Sequence, residues 1–383
     1  MESHQGLLNQ GASGVASTGV LTIDLSAIQA NWRTINASLA AGAQAAAVIK
    51  ADAYGLGAAQ VGPALYRVGC REFFVATLTE ARAVKEYLPK DANIIVLGGA
   101  RPGDEGAFIT EGLTPVLFSL PAVERWQQAC LTVGAPQPSA LKLDTGMHRL
   151  GLSSDELDQM LAEPARLKEC GIALVMSHLA CADEPDHPLN RQQQHRFHNA
   201  VDQLRQHLPG VRLSLANSSG IYLGPDWHYD LVRPGASLYG FNPQPGNPNP
   251  MQPVVQLDLP VLQVRDVAHS GTVGYGASTP VDAPARLAVV AGGYADGLNR
   301  TLGQHALGVV GEQRIQVIGR ISMDLTIFDV SELPSGESPK WIQVLNRELT
   351  VNLVTERTGA LGYEVLTSLG GRYRRIYLEE PQS

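Results

Sequence analysis

ALKLDTGMHRLGLSSDELDQMLAEPARLKECGIALVMSH, residues 140–178, is the stretch from which the fold of this chain can be predicted. An apolar run near Leu143 is followed by a helical pattern over Ser154–Cys170, with a serine cap and early acidic residues, and by an apolar run ending at His178. Continuous apolar runs that alternate with helices are typical of parallel strands covered on both faces. The stretch therefore predicts one strand–helix–strand unit.

The same alternation extends in both directions along the chain, and helical patterns also cover Leu78–Leu88 and Arg191–Leu208. The other apolar runs are AAAVIK ending at Lys50, FFVAT near Val75, NIIVLGG near Val96, PVLFS near Leu117, LSLAN ending at Asn217 and YDLVRP near Val232. Eight such units in roughly 230 residues predict an α/β fold with an N-terminal (β/α)8 TIM-type barrel. A doubly wound open sheet would also explain the alternation, but it would not require eight units.

A segment rich in Pro and Asn, FNPQPGNPNPMQP from residue 241, ends this alternation. It predicts an interdomain linker, and the short alternating runs beyond it predict a mainly β C-terminal domain. We therefore expect a cofactor-binding barrel over residues 20–245 and a β-domain over residues 246–383. Residues 1–19 contain no Lys, no Arg and no long apolar run, so they are predicted to be a flexible leader and not a secretory signal.

Composition excludes several classes of function. The 383 residues carry a net charge of -8, are 44% hydrophobic and 17% charged, and include no basic run, so neither nucleic acid nor a membrane is an expected partner. No apolar run is long enough to cross a bilayer. The four cysteines form no CxxC pair, which argues against a metal site and against a disulfide framework, and favours a cytoplasmic location.

Lysine is rare, and two of the six lysines, Lys50 and Lys142, lie in apolar strand runs. A single lysine of this kind is usually one whose charged end reaches solvent, but two near strand ends of one barrel favour a function. A desolvated lysine can be neutral near pH 7 and can bond covalently to a carbonyl carbon. Polar residues follow other strands at the face where barrel enzymes build their sites, and they are Asp144, Arg149, His178, Asn217, Ser218 and Arg233.

Small residues after the seventh and eighth predicted strands match the usual phosphate site of such barrels. They are Ser218, Ser219, Gly220 and Gly235. Backbone N–H groups at such a place can hold a dianion. A lysine and a phosphate site on one barrel rim point to pyridoxal 5'-phosphate as the cofactor.

Nine segments that contain these residues closely resemble motifs of the alanine racemase family, in the family's order, from about residue 20 to the C-terminus. They are AVIKADAYGLG (47–57), LKLDTGMHRLG (141–151), SHLACAD (177–183), LANSSG (215–220), LVRPGASLYG (231–240), VGYGAS (273–278), GGYADG (292–297), GRISMD (319–324) and GYEVLTSL (362–369). The resemblance implies a β/α barrel followed by a β-domain, an amino-acid substrate, and a homodimer whose sites are shared between chains.

The resemblance also implies a role for each residue. Lys50 would hold the cofactor, and Lys50 and Tyr275 would be the two opposed bases. The other cofactor-binding positions would be Tyr54, Arg149, His178, Asn217, Ser218, Arg233, Gly235, Ala236 and Tyr363. Arg149, Met323 and Tyr275 would bind the substrate, and Tyr294 and Asp324 would shape the entrance. Lys142 matches a position that is carbamylated in many members.

Racemisation removes a proton from Cα on one face and returns one on the other, so two bases suit the task. A racemase that also accepts serine or lysine stays open. A decarboxylase of the same fold is disfavoured because no cysteine follows Cys181, and a non-catalytic cofactor carrier is disfavoured because a full second domain supplies Tyr275. Whether D-alanine is made as a peptidoglycan precursor or alanine is catabolised also stays open.

Overall fold

The structure, a computed structural model, describes residues 18–300, 303, 306–334, 338–358 and 361–379. The predicted leader therefore lies outside the described residues, apart from Thr18 and Gly19. The chain divides into two compact units, one formed by Ile28–Gln252 and the other by the residues up to Ala27 together with those from Pro253 onward.

The strands, numbered along the chain, are β1 (Val20–Asp24), β2 (Gln44–Ala45), β3 (Ala47–Val48), β4 (Glu72–Val75), β5 (Asn93–Val96), β6 (Thr114–Leu117), β7 (Ser139–Lys142), β8 (Ile172–Met176), β9 (Arg212–Ser214), β10 (Leu231–Val232), β11 (Val255–Val267), β12 (Gly271–Val273), β13 (Thr279–Val281), β14 (Ala285–Ala291), β15 (Leu307–Val310), β16 (Gln313–Val317), β17 (Leu325–Asp329), β18 (Trp341–Leu345) and β19 (Arg374–Leu378). The α-helices are α1 (Leu25–Ala37), α2 (Lys50–Gly55), α3 (Ala58–Arg67), α4 (Leu78–Lys85), α5 (Glu105–Glu111), α6 (Leu120–Val133), α7 (Ser154–Leu161), α8 (Pro164–Glu169), α9 (Pro188–Arg205), α10 (Val351–Thr358) and α11 (Gly362–Thr367).

The unit of Ile28–Gln252 contains a seven-stranded parallel sheet in the order β3-β4-β5-β6-β7-β8-β9. Strand β10 pairs in parallel with β2, and the Val48 N–H beyond that pair donates to the Pro234 carbonyl at 2.9 Å. On its other side, the Arg233 N–H donates to the Ala216 carbonyl, just after β9, at 2.9 Å. Strand β10 therefore links the β2–β3 segment to β9 and closes the predicted barrel.

Buried side chains from most strands of the barrel pack together in its interior. They are Ala46, Val48, Phe74, Ile95, Val116, Ala140, Leu174, Met176 and Leu231. A packed interior of this kind makes the barrel a rigid support for the residues at its rim. Truncating Phe74 to alanine would cost about 3–5 kcal/mol.

The helices around the barrel begin where the sequence supplies caps. The Thr77 hydroxyl accepts from the Glu80 N–H in α4, and Ser153 forms a full capping box with Glu156 in α7. The single helix predicted over Ser154–Cys170 is wrong: it is divided into α7 and α8 before Pro164, because proline lacks an N–H and disfavours a helical conformation at the residue before it. No described helix is both long enough and apolar enough to span a membrane.

The second unit is built on a mixed sheet in the order β14-β17-β16-β15-β18-β11-β1-β19, which also closes through pairing of β14 with β11. Strand β1 lies between β11, to which it is antiparallel, and β19, to which it is parallel. Residues 20–27 thus belong to the C-terminal unit, whereas the domain limits predicted from sequence placed them with the barrel. The mainly β character is confirmed, with α10 and α11 as additions that the sequence patterns did not indicate.

Candidate active site

Lys50 directly follows Ile49 at the end of β3, on the rim of the barrel. The next residues, Ala51–Tyr54, have positive φ angles of 53–56°, so α2 is wound left-handed. Each such residue other than glycine costs about 1–2 kcal/mol. Burial lowers the pKa of Lys50, and Arg149 lowers it further, while Glu80 opposes the change. The amine is therefore more readily neutral than an exposed lysine, as a nucleophile or base requires.

Tyr54 ends the left-handed turn, and its hydroxyl approaches Gly235. A Cβ atom built on Gly235 would lie 2.6 Å from that oxygen. The Tyr54 ring packs against Tyr239 with 4.6 Å between ring centroids, and the Tyr239 hydroxyl donates to the Val48 carbonyl at 3.0 Å. Tyr239, which sequence reasoning missed although it lies in a quoted motif, thus supports Tyr54.

Ser218 is the centre of a hydrogen-bonded cluster beside Gly235. Its Oγ accepts from the N–H of Gly235 at 3.0 Å and of Ser237 at 3.2 Å, and it lies 3.1 Å from the Ser237 Oγ. The buried Ala236, between Gly235 and Ser237 in the chain, is the first residue of a short 3₁₀ turn. Hydroxyls and backbone N–H groups clustered in this way suit a phosphate. We call the cluster of Tyr54, Ser218, Gly235, Ala236 and Ser237 the phosphate cradle; Ser237 is an addition to the prediction.

Asn217 shapes the loop that presents Ser218. Its Nδ2 donates to the Leu179 carbonyl at 3.2 Å, and its Oδ1 accepts from the Gly220 N–H at 2.9 Å. Both polar ends of the side chain are therefore occupied by the barrel itself.

Arg233 is buried at the end of β10, with 4% of its surface exposed. Its guanidinium donates to the Ser214 Oγ, to the Ser177 carbonyl and, at 3.3 Å, to the Leu215 carbonyl. Burial lowers the pKa of Arg233 to about 9, so it stays protonated at neutral pH. Ser214, not singled out from sequence, is one of its anchors.

His178 lies next to this arginine on the rim. Burial, reinforced by the positive charge of Arg233 and by Lys142, holds the pKa of His178 well below its usual range. The imidazole is therefore neutral at pH 7 and can accept or donate a hydrogen bond without adding charge.

Lys142 ends β7 and is buried, with 7% of its surface exposed. Burial is the main reason that its pKa falls to about 8, and Arg149 and Arg233 lower it further while Asp144 opposes them. Arg149 itself is exposed. Together with Lys50, these side chains make the rim electropositive, which favours anionic ligands such as phosphates and carboxylates.

Asp144 shapes the loop that leads to Arg149. Its Oδ1 accepts from the N–H groups of Gly146, Met147 and His148 at 2.9–3.1 Å. Burial alone would raise the pKa of Asp144, but these donors hold it below its ordinary value. A charged carboxylate therefore fixes the turn before Arg149.

The other predicted site residues lie in the C-terminal unit. Tyr275 is 70% exposed on a turn between Gly274 and Gly276. The Tyr294 N–H donates to the Ser322 carbonyl at 3.0 Å, so Tyr294 meets the loop of Met323.

Asp324 in that loop accepts from the Arg372 guanidinium at 2.7 Å, and Arg372 also binds the fully buried Asp296. Tyr363 lies on α11 and is half exposed. The structure therefore brings Tyr294 to the loop that contains Met323 and Asp324, and it presents Tyr275 and Tyr363 on the surface of the same unit.

Comparison with known proteins matches both units. Residues 23–243 match the model for "Alanine racemase, N-terminal domain" and residues 254–377 that for "Alanine racemase, C-terminal domain". An alanine racemase of Rhodospirillum rubrum is 47% identical over 94% of this chain and 96% of its own length. A catabolic alanine racemase of Agrobacterium fabrum is 44% identical over 98% of this chain and 95% of its own.

Solved structures agree with the sequence relatives. The crystal structure of alanine racemase from Bartonella henselae with covalently bound pyridoxal phosphate superposes with a TM-score of 0.90, at 37% identity, over 95% of this chain and all of that one. The biosynthetic alanine racemase of Pseudomonas aeruginosa gives a TM-score of 0.85 at 35% identity, over 95% and 100% of the two chains. The chain belongs to the alanine racemase family.

Proposed function

We propose that this protein is an alanine racemase, an isomerase that interconverts L-alanine and D-alanine with pyridoxal 5'-phosphate as cofactor. The family match over both units supports the assignment. The observation that carries it is the position of Lys50 on the barrel rim that also bears the phosphate cradle. A lysine with a lowered pKa beside an anion site is what this cofactor requires.

The residues of the rim fit the cofactor. The hydroxyls of Tyr54, Ser218 and Ser237 would hold its phosphate, while the Gly235 and Ser237 N–H groups orient the Ser218 hydroxyl. The Lys50 amine would hold its carbonyl carbon covalently until the substrate amine replaces it and frees Lys50 to act as a base. The buried Arg233 guanidinium would donate to the cofactor's ring nitrogen. Because Arg233 keeps its proton at neutral pH, that nitrogen would accept a hydrogen bond rather than gain a proton. Bound there, the cofactor withdraws electrons from the substrate and so weakens the Cα–H bond.

Two bases on opposite faces of the substrate would move the proton. Tyr275 takes the Cα proton of L-alanine and Lys50 returns a proton to the other face, and the roles reverse for D-alanine. Arg149 binds the substrate carboxylate, helped by the backbone N–H of Met323. Burial supports this role for Lys50, since it lowers the pKa of the amine towards the pH of the reaction.

We further propose that Tyr275 reaches the site of a second copy of the chain in a homodimer. The tyrosine is 70% exposed, and Met323 and Tyr363 are 53% and 49% exposed, so large side chains of the C-terminal unit face solvent in the single chain. Exposure of this kind leaves the Tyr275 side chain accessible to a second chain. In an isologous dimer, two composite sites would form.

Lys142 is proposed to carry a carbamate. Its amine is buried beside two arginines, and its pKa of about 8 leaves part of it neutral at physiological pH. A neutral amine adds CO2 and releases a proton, and the resulting anion would lie among cations. It would pair with Arg149 and hold that guanidinium for the substrate.

The four cysteines, all among the described residues, are free thiols. Free thiols are the normal state in a reducing compartment, which supports our proposal of a cytoplasmic protein.

A racemisation assay over a panel of amino acids tests the function. The protein, supplied with pyridoxal phosphate, should racemise alanine with a higher kcat/KM than serine or lysine, and Lys50→Ala should be inactive. Similar kcat/KM values for all three substrates would replace this proposal by a broad-specificity racemase. Absence of racemisation for every substrate would refute it.

A further inference from the structure

Glu80 lies on α4, outside the residues assigned to the site, and its carboxylate binds two backbone amides. One oxygen accepts from the Ala51 N–H at 3.0 Å, and the other accepts from the Ala76 N–H at 2.7 Å. Ala51 directly follows Lys50, and Ala76 directly follows β4. One side chain therefore bridges the start of the left-handed turn and the end of the neighbouring strand.

This arrangement departs from the usual role of a glutamate in the first turn of a helix. In a capping box the carboxylate turns back to the N–H of the cap residue. Glu156 does so in α7, where it accepts from the Ser153 N–H at 2.9 Å. Glu80 occupies the same position relative to its cap, Thr77, yet it binds Ala76 and Ala51. Helix capping alone does not account for its contacts.

The left-handed turn needs such support. The four residues Ala51–Tyr54 carry positive φ angles, and backbone in this region persists only where its surroundings hold it. Glu80 binds the first amide of the turn. At the far end the Asp52 Oδ1 accepts from the Ala58 N–H at 2.7 Å. Two carboxylates therefore hold the turn that sets the direction of both Lys50 and Tyr54.

Glu80 also differs in charge from the side chains around Lys50. Burial and the positive charge of Arg149 both lower the pKa of Lys50, whereas Glu80 acts in the opposite direction. The carboxylate thus favours the ammonium form of Lys50 and opposes the effect of Arg149.

We propose that Glu80 is a positioning residue for Lys50: by tying the amide after the lysine to the end of β4, it fixes the direction in which the amine leaves the barrel rim. This inference rests on the proposed function, because it treats Lys50 as the group that holds and moves a proton.

Three variants separate the effects of charge, bridging and simple surface change. Glu80→Gln keeps the shape but loses the charge and one of the two acceptors. Glu80→Asp keeps the charge but is one methylene too short to bridge both amides. Glu86→Gln, at an exposed position just after the same helix, is the matched control.

Hydrogen exchange followed by mass spectrometry reports on the turn without reference to activity. In both Glu80 variants the peptide covering residues 50–57 should exchange about tenfold faster, whereas peptides from the barrel strands should not change. Because small misplacements of a reacting group are costly, kcat for alanine should fall roughly tenfold to a hundredfold, with a smaller change in KM. Glu86→Gln should match the parent protein in both measurements.

The pH dependence of chemical labelling of Lys50 in the cofactor-free chain isolates the charge. Its midpoint should move to lower pH in Glu80→Gln and stay in place in Glu80→Asp. Unchanged exchange and an unchanged kcat in both Glu80 variants would overturn the proposal. If the parent protein racemises nothing while exchange still depends on Glu80, the proposed function fails and the positioning role stands.

Discussion

Gly235 and Tyr54 approach each other so closely that any side chain at residue 235 would collide with the tyrosine hydroxyl. The added Cβ would lie 2.6 Å from that oxygen and 3.2 Å from the Val48 Cβ, so the tyrosine hydroxyl would have to shift. The two residues follow β10 and β3, the strands that close the barrel. Closure of the barrel therefore also assembles the phosphate cradle.

Gly235→Ala should push Tyr54 out of the cradle. Loss of one charge-assisted hydrogen bond to the phosphate, worth about 1.5–3 kcal/mol, would weaken cofactor binding roughly tenfold to a hundredfold. Cofactor absorbance during equilibrium dialysis gives the Kd. The control is Gly106→Ala in α5, where a Cβ would meet no atom within 4 Å. An equal loss of affinity in both variants would show that the close approach is unimportant.

Borohydride treatment of the purified yellow protein should fix the cofactor on Lys50 and not on Lys142. Lys50 is half-buried and Lys142 is buried, and both lie at strand ends. Only Lys50 leads into the turn that ends at Tyr54. Peptide mapping by mass spectrometry locates the label. Label on Lys142, or label retained in Lys50→Ala, would contradict the assignment.

Lys142 should make stability depend on pH in CO2-free buffer. Burial lowers its folded pKa from 10.5 to about 8, so the unfolded chain binds more protons between these values and stability rises with pH through this window. Below pH 8 the lysine is charged in both states and its burial is a cost. Lys142→Met should therefore raise the unfolding free energy at pH 7 by up to about 3 kcal/mol, and this advantage should shrink towards pH 10.

Urea unfolding at pH 7 and pH 10 measures this difference. Lys168→Met, at an exposed position on α8, serves as the control and should show no such pH-dependent gain. If the unfolding free energy of Lys142→Met exceeds that of the parent by the same amount at pH 7 and at pH 10, as expected for Lys168→Met, burial of Lys142 does not govern its protonation.

Bicarbonate should convert Lys142 from a cation to an anion, because it supplies the CO2 that forms the carbamate. With carbon-13-labelled bicarbonate, the parent protein should show a carbamate signal by NMR, because a partly neutral amine among arginines gains by becoming an anion. The signal should vanish in Lys142→Met and persist in Lys168→Met. A signal that survives replacement of Lys142 belongs to another amine.

Complementation tests the shared site. Lys50→Ala and Tyr275→Phe homodimers should each be nearly inactive. After the two are unfolded, mixed and refolded, half the dimers are mixed, and one of the two sites in each mixed dimer carries neither lesion. Roughly one quarter of all sites should therefore be intact. Verified exchange of subunits without recovered activity would place both residues in one chain.

Apolar runs predicted the barrel strands well, because most residues of these strands are buried whichever face they lie on. The helix over Ser154–Cys170 was predicted too long since its periodicity continues through Pro164. The sequence could not predict that β1 belongs to the C-terminal unit, because the run of Val20–Asp24 is as apolar as a barrel strand. Its pairing with β11 and β19 depends on residues more than two hundred positions away.

Candidate site residues could be predicted from sequence where a polar residue ends an apolar strand run, as at Lys50, His178 and Arg233. Supporting residues could not be predicted. From sequence, Glu80 is indistinguishable from an ordinary capping-box glutamate. The sequence of Ala51–Tyr54 does not predict a left-handed turn, because alanine normally avoids that conformation. The role of such a residue depends on its contacts, and its partners come from other segments of the chain.

The place of β1 between β11 and β19 has a consequence for biosynthesis. Among the described strands β1 comes first along the chain, yet it lies between β11, about two-thirds of the way along, and β19, the last of them. Its sheet is completed only after β19 has been synthesised, whereas the barrel has all of its strands once Val232 has emerged. Until β11 has been synthesised, the nascent chain carries an unpaired β1, and unpaired strand edges invite aggregation. A fragment starting at Pro253 would lack this strand and leave facing edges of β11 and β19 exposed.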